Sequence, residues 1–230
     1  MNQFDAIIMA WTNSFAGTSH AFDRFVALLG SPVIKGTPVA VAFLYLWFLP
    51  SPKRSANRCA LTALMVVSVL SIFAGRGLAL MLPYRLRPLH AEGLDLQMPL
   101  SISRTALEGW SSFPSDHAVF YASMVVGFWM ISRPVGIVMA LHALIVIAFS
   151  RVYMLLHYPT DILGGAVVGG TISLILLPGL AALLRRVQAD RIIDEHPQYA
   201  YPLIFLMLMQ MATMFNSARE LAKAMVSLVT

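Results

Sequence analysis

Long apolar runs constrain this chain more than any other feature. A helix that crosses a bilayer needs about 20 mostly apolar residues, because its backbone polar groups must satisfy one another inside hydrocarbon. Five runs are strong candidates, at about 33–49, 59–82, 117–131, 135–156 and 162–184, and Arg76 lies in the last turns of the second. A sixth, at about 201–215, is methionine-rich and shorter. The chain is 58% hydrophobic and 12% charged, where an ordinary soluble domain is roughly 45–50% apolar and about 25% charged. The expected fold is all-α: a polytopic transmembrane bundle of about six spans, forming one domain over residues 1–230.

Smaller features refine this picture. The run at 162–184 contains "GGAVVGG", and small residues let helices approach closely. "FDRFVALLG" has apolar residues at helical spacing beside Asp23 and Arg24, which predicts an interfacial helix near the N-terminus. The tail "SARELAKAMVSLV" reads the same way. The first twenty residues include Asp5 and lack a basic stretch followed by a long apolar core, unlike a cleaved signal peptide. Cys59 is the single cysteine. It has no partner for an internal disulfide and no metal-binding spacing, so it is expected to pack.

Net charge is +5, with no lysine-rich tract to grip nucleic acid. Positive charge in short membrane loops marks the cytoplasmic side instead. Lys53, Arg54 and Arg58 follow the first run, Arg133 follows the third, and Arg185, Arg186 and Arg191 follow the fifth. Alternating spans put these loops at one end, expected to be cytoplasmic. Residues 83–116 and 150–161 then share the other end. Arg85, Arg87, Arg104 and Arg151 occur there against the charge bias and need another reason.

That end also holds Ser115, His117, His157 and Asp161. Ionisable groups at membrane depth are costly and are usually functional. Arginines converging at helix ends beside a serine and backbone N–H groups make an anion site. At a membrane surface the simplest anion is a lipid phosphate. Phosphoryl transfer needs stabilisation of three equatorial oxygens and in-line attack, and the planar fork of arginine grips two oxygens at once. One imidazole can attack phosphorus while another protonates the leaving alkoxide. Asp161, four residues after His157, is placed to hold that ring's N–H and fix its tautomer. Pro159 is expected to open the fifth helix.

At these residues the chain resembles a known family. "SRVYMLLHYPTD" follows S-R-x5-H-x3-D, and "FPSDHA" resembles P-S-G-H. "LMLPYRLRP" ends in the Arg87-Pro88 of K-x6-R-P but has Leu80 at the lysine position. These look like the three signatures of the type-2 phosphatidic acid phosphatase superfamily, the lipid phosphate phosphatases, in the expected order. The resemblance implies His157 as nucleophile and Asp161 as its orienting partner. His117 would be the acid for the leaving group and then the base for water. Arg87, Arg151 and Ser115 would bind phosphate with support from Ser150, and no metal or other cofactor is implied. Membrane members are similar to a six-helix bundle with an outward-facing site. A bacterial inner-membrane location with the site facing the periplasm or exterior follows.

Two departures set further expectations. Asp116 replaces the usual glycine within the phosphate-binding stretch and should point away or pair with an arginine such as Arg104. Arg76 or Arg85 should replace the missing lysine, with Arg85 favoured. Similar "FPSDHA" strings occur in bacterial polyprenyl diphosphate phosphatases, so undecaprenyl pyrophosphate is the favoured substrate. Phosphatidic acid and phosphatidylglycerol phosphate stay open, as do a lipid phosphotransferase and, because of Leu80, a non-catalytic lipid-phosphate binder or carrier. The partners expected are the lipid substrate and membrane lipids, with no nucleic acid and an open oligomeric state. The loop at 90–112 is expected to form an interfacial helix roofing the entrance. His142 should be a packing hydrogen bonder, Arg76 a structural cation, Trp110 and Tyr153 interface anchors, and Tyr158 a substrate contact.

Overall fold

The computed structural model describes residues 1–215 and is all-helical in its regular structure, with no strand among the described residues. The expected interfacial tail, beyond residue 215, lies outside the described residues. A short helix α1, Gln3–Asn13, precedes α2, His20–Leu29, and α3, Pro32–Phe48. The last two meet at 41°, as one broken span would. Ser31 accepts a hydrogen bond from the Ile34 N–H and Pro32 opens α3, the residue types that start helices well. Then come α4, Arg54–Met81, and α5, Asp116–Ile131, with Ser115 as its N-cap. Helix α6 covers Arg133–Tyr153 and widens to a π-helix over Ala143–Phe149. It is followed by α7, Pro159–Arg186, α8, Ala189–Glu195, and α9, Pro197–Ala212.

The six apolar helices α3, α4, α5, α6, α7 and α9 alternate in direction between two ends of one bundle. At one end Arg58 donates to Asp194 at 2.7 Å and Trp47 packs on Tyr201. The loops carrying Lys53, Arg54, Arg185, Arg186 and Arg191 therefore share that end. At the other end lie the starts of α3, α5 and α7 and the last turns of α4 and α6. The core between them contains Phe43, Trp47, Leu61, Leu64, Phe120, Met124 and Phe128, all buried. Ser123 and Ser173 hydrogen-bond at 2.7 Å between α5 and α7. Small residues on α7 do what the "GGAVVGG" run predicts. A Cβ at Gly165 would lie 2.7 Å from the Ser115 carbonyl oxygen, and one at Gly169 would strike the Val119 carbonyl. Glycine here lets the first turn of α5 rest directly on α7, which sets the site's two motifs side by side.

By length and composition, among the described residues α4, α6 and α7 can each cross a membrane alone, and the bent α2–α3 pair makes a fourth span if counted as one. Helix α5 has 16 residues, about 24 Å at 1.5 Å per residue, short of a hydrocarbon core of about 30 Å. The loop at 90–112 forms successive turns rather than an interfacial helix. Gly93, Leu107 and Gly109 take positive φ values, and the Ser103 and Thr105 side chains bond each other, competing with helical hydrogen bonds. Tyr153 is fully buried with its hydroxyl on Asp23, so it is no interface anchor.

Candidate active site

Both sequence motifs with histidine reach the same end of the bundle. Helix α6 ends just after Arg151, and Leu155, at φ +55°, turns the chain back so that the His157 N–H reaches the Arg151 carbonyl at 3.3 Å. A left-handed leucine is unusual and persists only where its surroundings enforce it. Leu155 is buried, and its carbonyl accepts the Leu89 N–H at 2.9 Å. The π-helix immediately before Ser150 and Arg151 resets the angle at which Arg151 leaves α6, and such widenings recur at functional sites.

His157 is buried, and its ring is held at both nitrogens. Nδ1 lies 2.8 Å from the Ser112 carbonyl oxygen, and Nε2 lies 3.1 Å from Arg87 Nη1. A carbonyl only accepts and a guanidinium only donates. Nδ1 therefore carries the proton, and Nε2 presents its lone pair to Arg87. Burial pushes the imidazole below its ordinary pKa, against the opposing pull of the Asp161 carboxylate. The ring is thus neutral at pH 7.

This differs from the expected pairing with Asp161. The Asp161 carboxylate is 3.7 Å from Nδ1, so it acts on the ring through its charge, while a backbone carbonyl holds the N–H. Asp161 has its own anchors. It accepts from Arg85 Nη1 at 2.6 Å, from the Ser112 hydroxyl at 2.5 Å and from the Tyr158 N–H at 2.8 Å. The last bond is the N-terminal cap of α7, supplied from the third helical position. Through the Ser112 hydroxyl, Asp161 positions the residue whose carbonyl holds His157.

Arg85 does not take the place of the missing lysine. Its guanidinium is spent on Asp161, on the Thr160 hydroxyl at 2.9 Å and on Asp5 at 2.9 Å, and it stacks over Tyr158 at 4.2 Å. Tyr158 is buried beneath it rather than facing substrate. Asp5, fully buried, also accepts the Thr160 N–H at 2.9 Å. Arg76 pairs with Asp116 at 3.1 Å and lies 3.7 Å over the Trp110 ring. Asp116 is therefore paired as expected, but with Arg76 and not Arg104.

Arg87 is buried and clasped by carbonyls. It donates to Leu156 at 2.6 Å, Trp110 at 3.2 Å and Ser111 at 3.2 Å, joining the end of the long loop to the His157 turn. Ser115 is fully buried; its hydroxyl accepts the Ala118 N–H, and its N–H donates to the Asp161 carbonyl at 3.2 Å. Ser150 donates within α6, to the Val146 carbonyl at 2.5 Å and the Ile147 carbonyl at 3.2 Å. It shapes the helix that delivers Arg151.

His117 stands in the first turn of α5. Its Nε2 is 2.6 Å from Arg151 Nη2 and 3.2 Å from Lys35 Nζ. Arg151 also acts electrostatically on Arg87 and His157, so the two imidazoles belong to one field of charge. The Arg151 Nε and the buried Tyr121 hydroxyl, one turn along α5, have no hydrogen-bond partner among the described residues. No cluster of three or more potential metal ligands occurs among the described residues.

Sequence reading missed Lys35, Asp5 and the Ser112 carbonyl. Lys35 had a signal, being a lysine within the first apolar run. A backbone carbonyl has none.

Comparison with known proteins agrees with the geometry. No curated protein and no solved structure matches the chain. Residues 81–185 match the family model described as the PAP2 superfamily, and they span every candidate site residue from Arg85 to Asp161. PAP2-superfamily members are phosphatases acting on phosphate esters. Residues 81–185, which carry both histidine motifs at one end of the apolar helical bundle, match the PAP2 superfamily, the type-2 phosphatidic acid phosphatases.

Proposed function

We propose that this protein hydrolyses a lipid phosphate or polyprenyl diphosphate, with undecaprenyl pyrophosphate favoured, through a phosphohistidine on His157 at the extracytoplasmic face. The observation that carries the reading is the fixed tautomer of His157. Its N–H is tied to the Ser112 carbonyl while its lone pair faces a cation. The bundle also supports a lipid substrate, because the site lies at the end of helices whose sides are apolar. Lys53, Arg54, Arg185, Arg186 and Arg191 lie in the loops of the opposite end, which the loop bias makes cytoplasmic, so the site faces the extracytoplasmic side.

In the ligand-free site, Arg87 donates to Nε2 of His157 and Arg151 donates to Nε2 of His117. Phosphoryl oxygens are better acceptors for these guanidinium donors than imidazole nitrogens. Substrate binding then draws the arginines onto phosphate and releases both lone pairs. Nε2 of His157 attacks phosphorus as the bond to the leaving oxygen breaks. His117, its lone pair freed, first takes up a proton from water at Nε2 and then gives that proton to the leaving oxygen. Water next attacks the phosphohistidine while His117 takes its proton, inorganic phosphate departs, and the His157 lone pair is restored. Asp161 stabilises the positive charge that builds on the His157 ring, as the carboxylate of a catalytic triad does.

The test is phosphate release by the purified chain from polyprenyl diphosphate, phosphatidic acid and phosphatidylglycerol phosphate, with and without a chelator. Release from at least one substrate, unchanged by chelator and lost in His157→Ala, is expected. Equal activity of wild type and variant would refute the reading. Release of the phosphoryl group onto an added alcohol in preference to water would mark a transferase.

A further inference from the structure

We propose that Lys35, delivered from α3, is the third cation that binds the phosphoryl group of the substrate. The inference rests on the phosphatase reading above and adds a residue that lies outside the family match at 81–185.

Lys35 sits in the first turns of α3, just after the break that separates α3 from α2. The residue is 8% exposed. Its ammonium points at Nε2 of His117, 3.2 Å away, where Arg151 Nη2 also converges at 2.6 Å. No carboxylate lies within ion-pair distance of Lys35 or Arg151 among the described residues, although Asp5, Asp161, Asp116 and Asp194 are all paired with arginines. Buried Lys35 and half-buried Arg151, neighbours with no counter-charge among the described residues, repel each other and lose hydration. A single imidazole lone pair compensates little of this. A fold keeps such an arrangement where a ligand supplies the missing negative charge. The ligand must be an anion with several acceptor oxygens, since Lys35 and Arg151 bring several donors to one ring nitrogen. A phosphoryl group meets that description.

The placement of Lys35 is built into the fold. His142 of α6 donates through Nε2 to the Lys35 carbonyl at 3.0 Å. Next along α3, Gly36 touches α9: a Cβ there would lie 2.4 Å from Ala212 Cα. Only glycine lets α3 approach α9 this closely, and the approach holds Lys35 in line with His117. Pro38, in the following turn, has no N–H to offer the Ile34 carbonyl, which loosens the helix around Lys35. By contrast, Leu80, at the position where the family signature carries lysine, is apolar and 80% exposed. A cation on α3 is thus available where the end of α4 offers none.

The test compares wild type, Lys35→Met and Lys35→Arg, each full length in detergent, using inorganic phosphate as probe. Phosphate affinity is read by 31P NMR titration, thermal stability by Tm with and without phosphate, and turnover with the best lipid phosphate. Lys35→Met should weaken phosphate binding about tenfold to a hundredfold, the usual weight of a charge-assisted hydrogen bond. It should reduce kcat/KM by at least as much. Lys35→Arg should bind phosphate within about threefold of wild type. Without phosphate, Lys35→Met should have a higher Tm than wild type, because an isosteric apolar chain replaces an uncompensated ammonium. A merely structural lysine would give the opposite sign. Wild-type phosphate affinity in Lys35→Met, or a lower Tm without phosphate, overturns the proposal. If wild type hydrolyses lipid phosphates and Lys35→Met does so equally well, the role of Lys35 alone fails. If wild type neither hydrolyses them nor binds phosphate, the phosphatase reading fails with it.

Discussion

His157 and His117 present the same ring atom, Nε2, to arginine, yet they are held by different means. His157 is fixed from behind by the Ser112 carbonyl at 2.8 Å, within a network in which Asp161, Arg85, Thr160 and Asp5 satisfy one another. His117 is met at Nε2 by the cations Arg151 and Lys35. The contrast separates two chemical tasks. A nucleophile must keep one tautomer throughout, so its ring needs a rigid acceptor. A group that gives a proton and later takes one back must change state at Nε2, and cations that move onto a phosphate allow this.

The largest test of the contrast removes each ring. His157→Ala should lower turnover at least about a thousandfold, the usual loss of a covalent nucleophile, and should form no phosphoenzyme. His117→Ala should be as slow with a lipid phosphate but recover phosphoenzyme formation with p-nitrophenyl phosphate, whose leaving group needs no proton. Rapid-quench kinetics would show an initial burst of nitrophenolate, followed by slow phosphate release. Without a burst, the two rings do not divide the work in this way.

Asp161→Asn comes next. Because Ser112, and not Asp161, holds the His157 N–H, the tautomer should survive the change. Turnover should fall by about tenfold to a hundredfold, less than the roughly ten-thousandfold loss when a triad carboxylate also sets the tautomer. Stability should suffer more, by about 3 kcal/mol, since Arg85 loses a buried partner. Thermal unfolding and kcat measured together would separate the two effects.

The pH profile sharpens the comparison further. The folded pKa of His157 is lowered from 6.5 by burial, so the unfolded chain binds more protons as pH falls through 6.5. The stability contributed by the neutral ring is complete above the unfolded value and is lost as pH falls from there to the folded value. The same neutral ring is needed for attack, so the acidic limb of kcat/KM should lie below pH 6.5. A limb above 6.5 that disappears in His117→Ala would assign that titration to the other histidine.

Asp116→Asn should have the smallest effect, under about threefold on kcat/KM, because Asp116 pairs with Arg76 on the flank of the site and Arg76 keeps its place on Trp110. A tenfold change would draw Asp116 into the charge balance of His117.

The parts of this architecture that depend on local sequence were legible without coordinates. Apolar runs mark α3 to α7 to within a few residues of their ends, since hydropathy is a property of neighbouring residues. "FPSDHA" and "SRVYMLLHYPTD" marked the two imidazoles, because each motif lies within one turn and the start of one helix. Groups joined only by folding were hidden. Lys35 and His117 are 82 positions apart, and Asp5 lies 155 positions from Thr160. Arg85 was misassigned because its partners Asp5 and Asp161 are collected by tertiary packing. The turns at 90–112 were misread as a helix because side-chain bonds at Ser103 and Thr105 override an apolar spacing.

The central claim, that Nε2 of His157 takes the phosphoryl group, is tested most directly by trapping it. His117→Ala incubated with p-nitrophenyl phosphate, quenched in alkali and mapped by mass spectrometry should carry an acid-labile, base-stable phosphate on His157. An unmodified His157 during the burst, or a phosphate on any other side chain, would contradict the account.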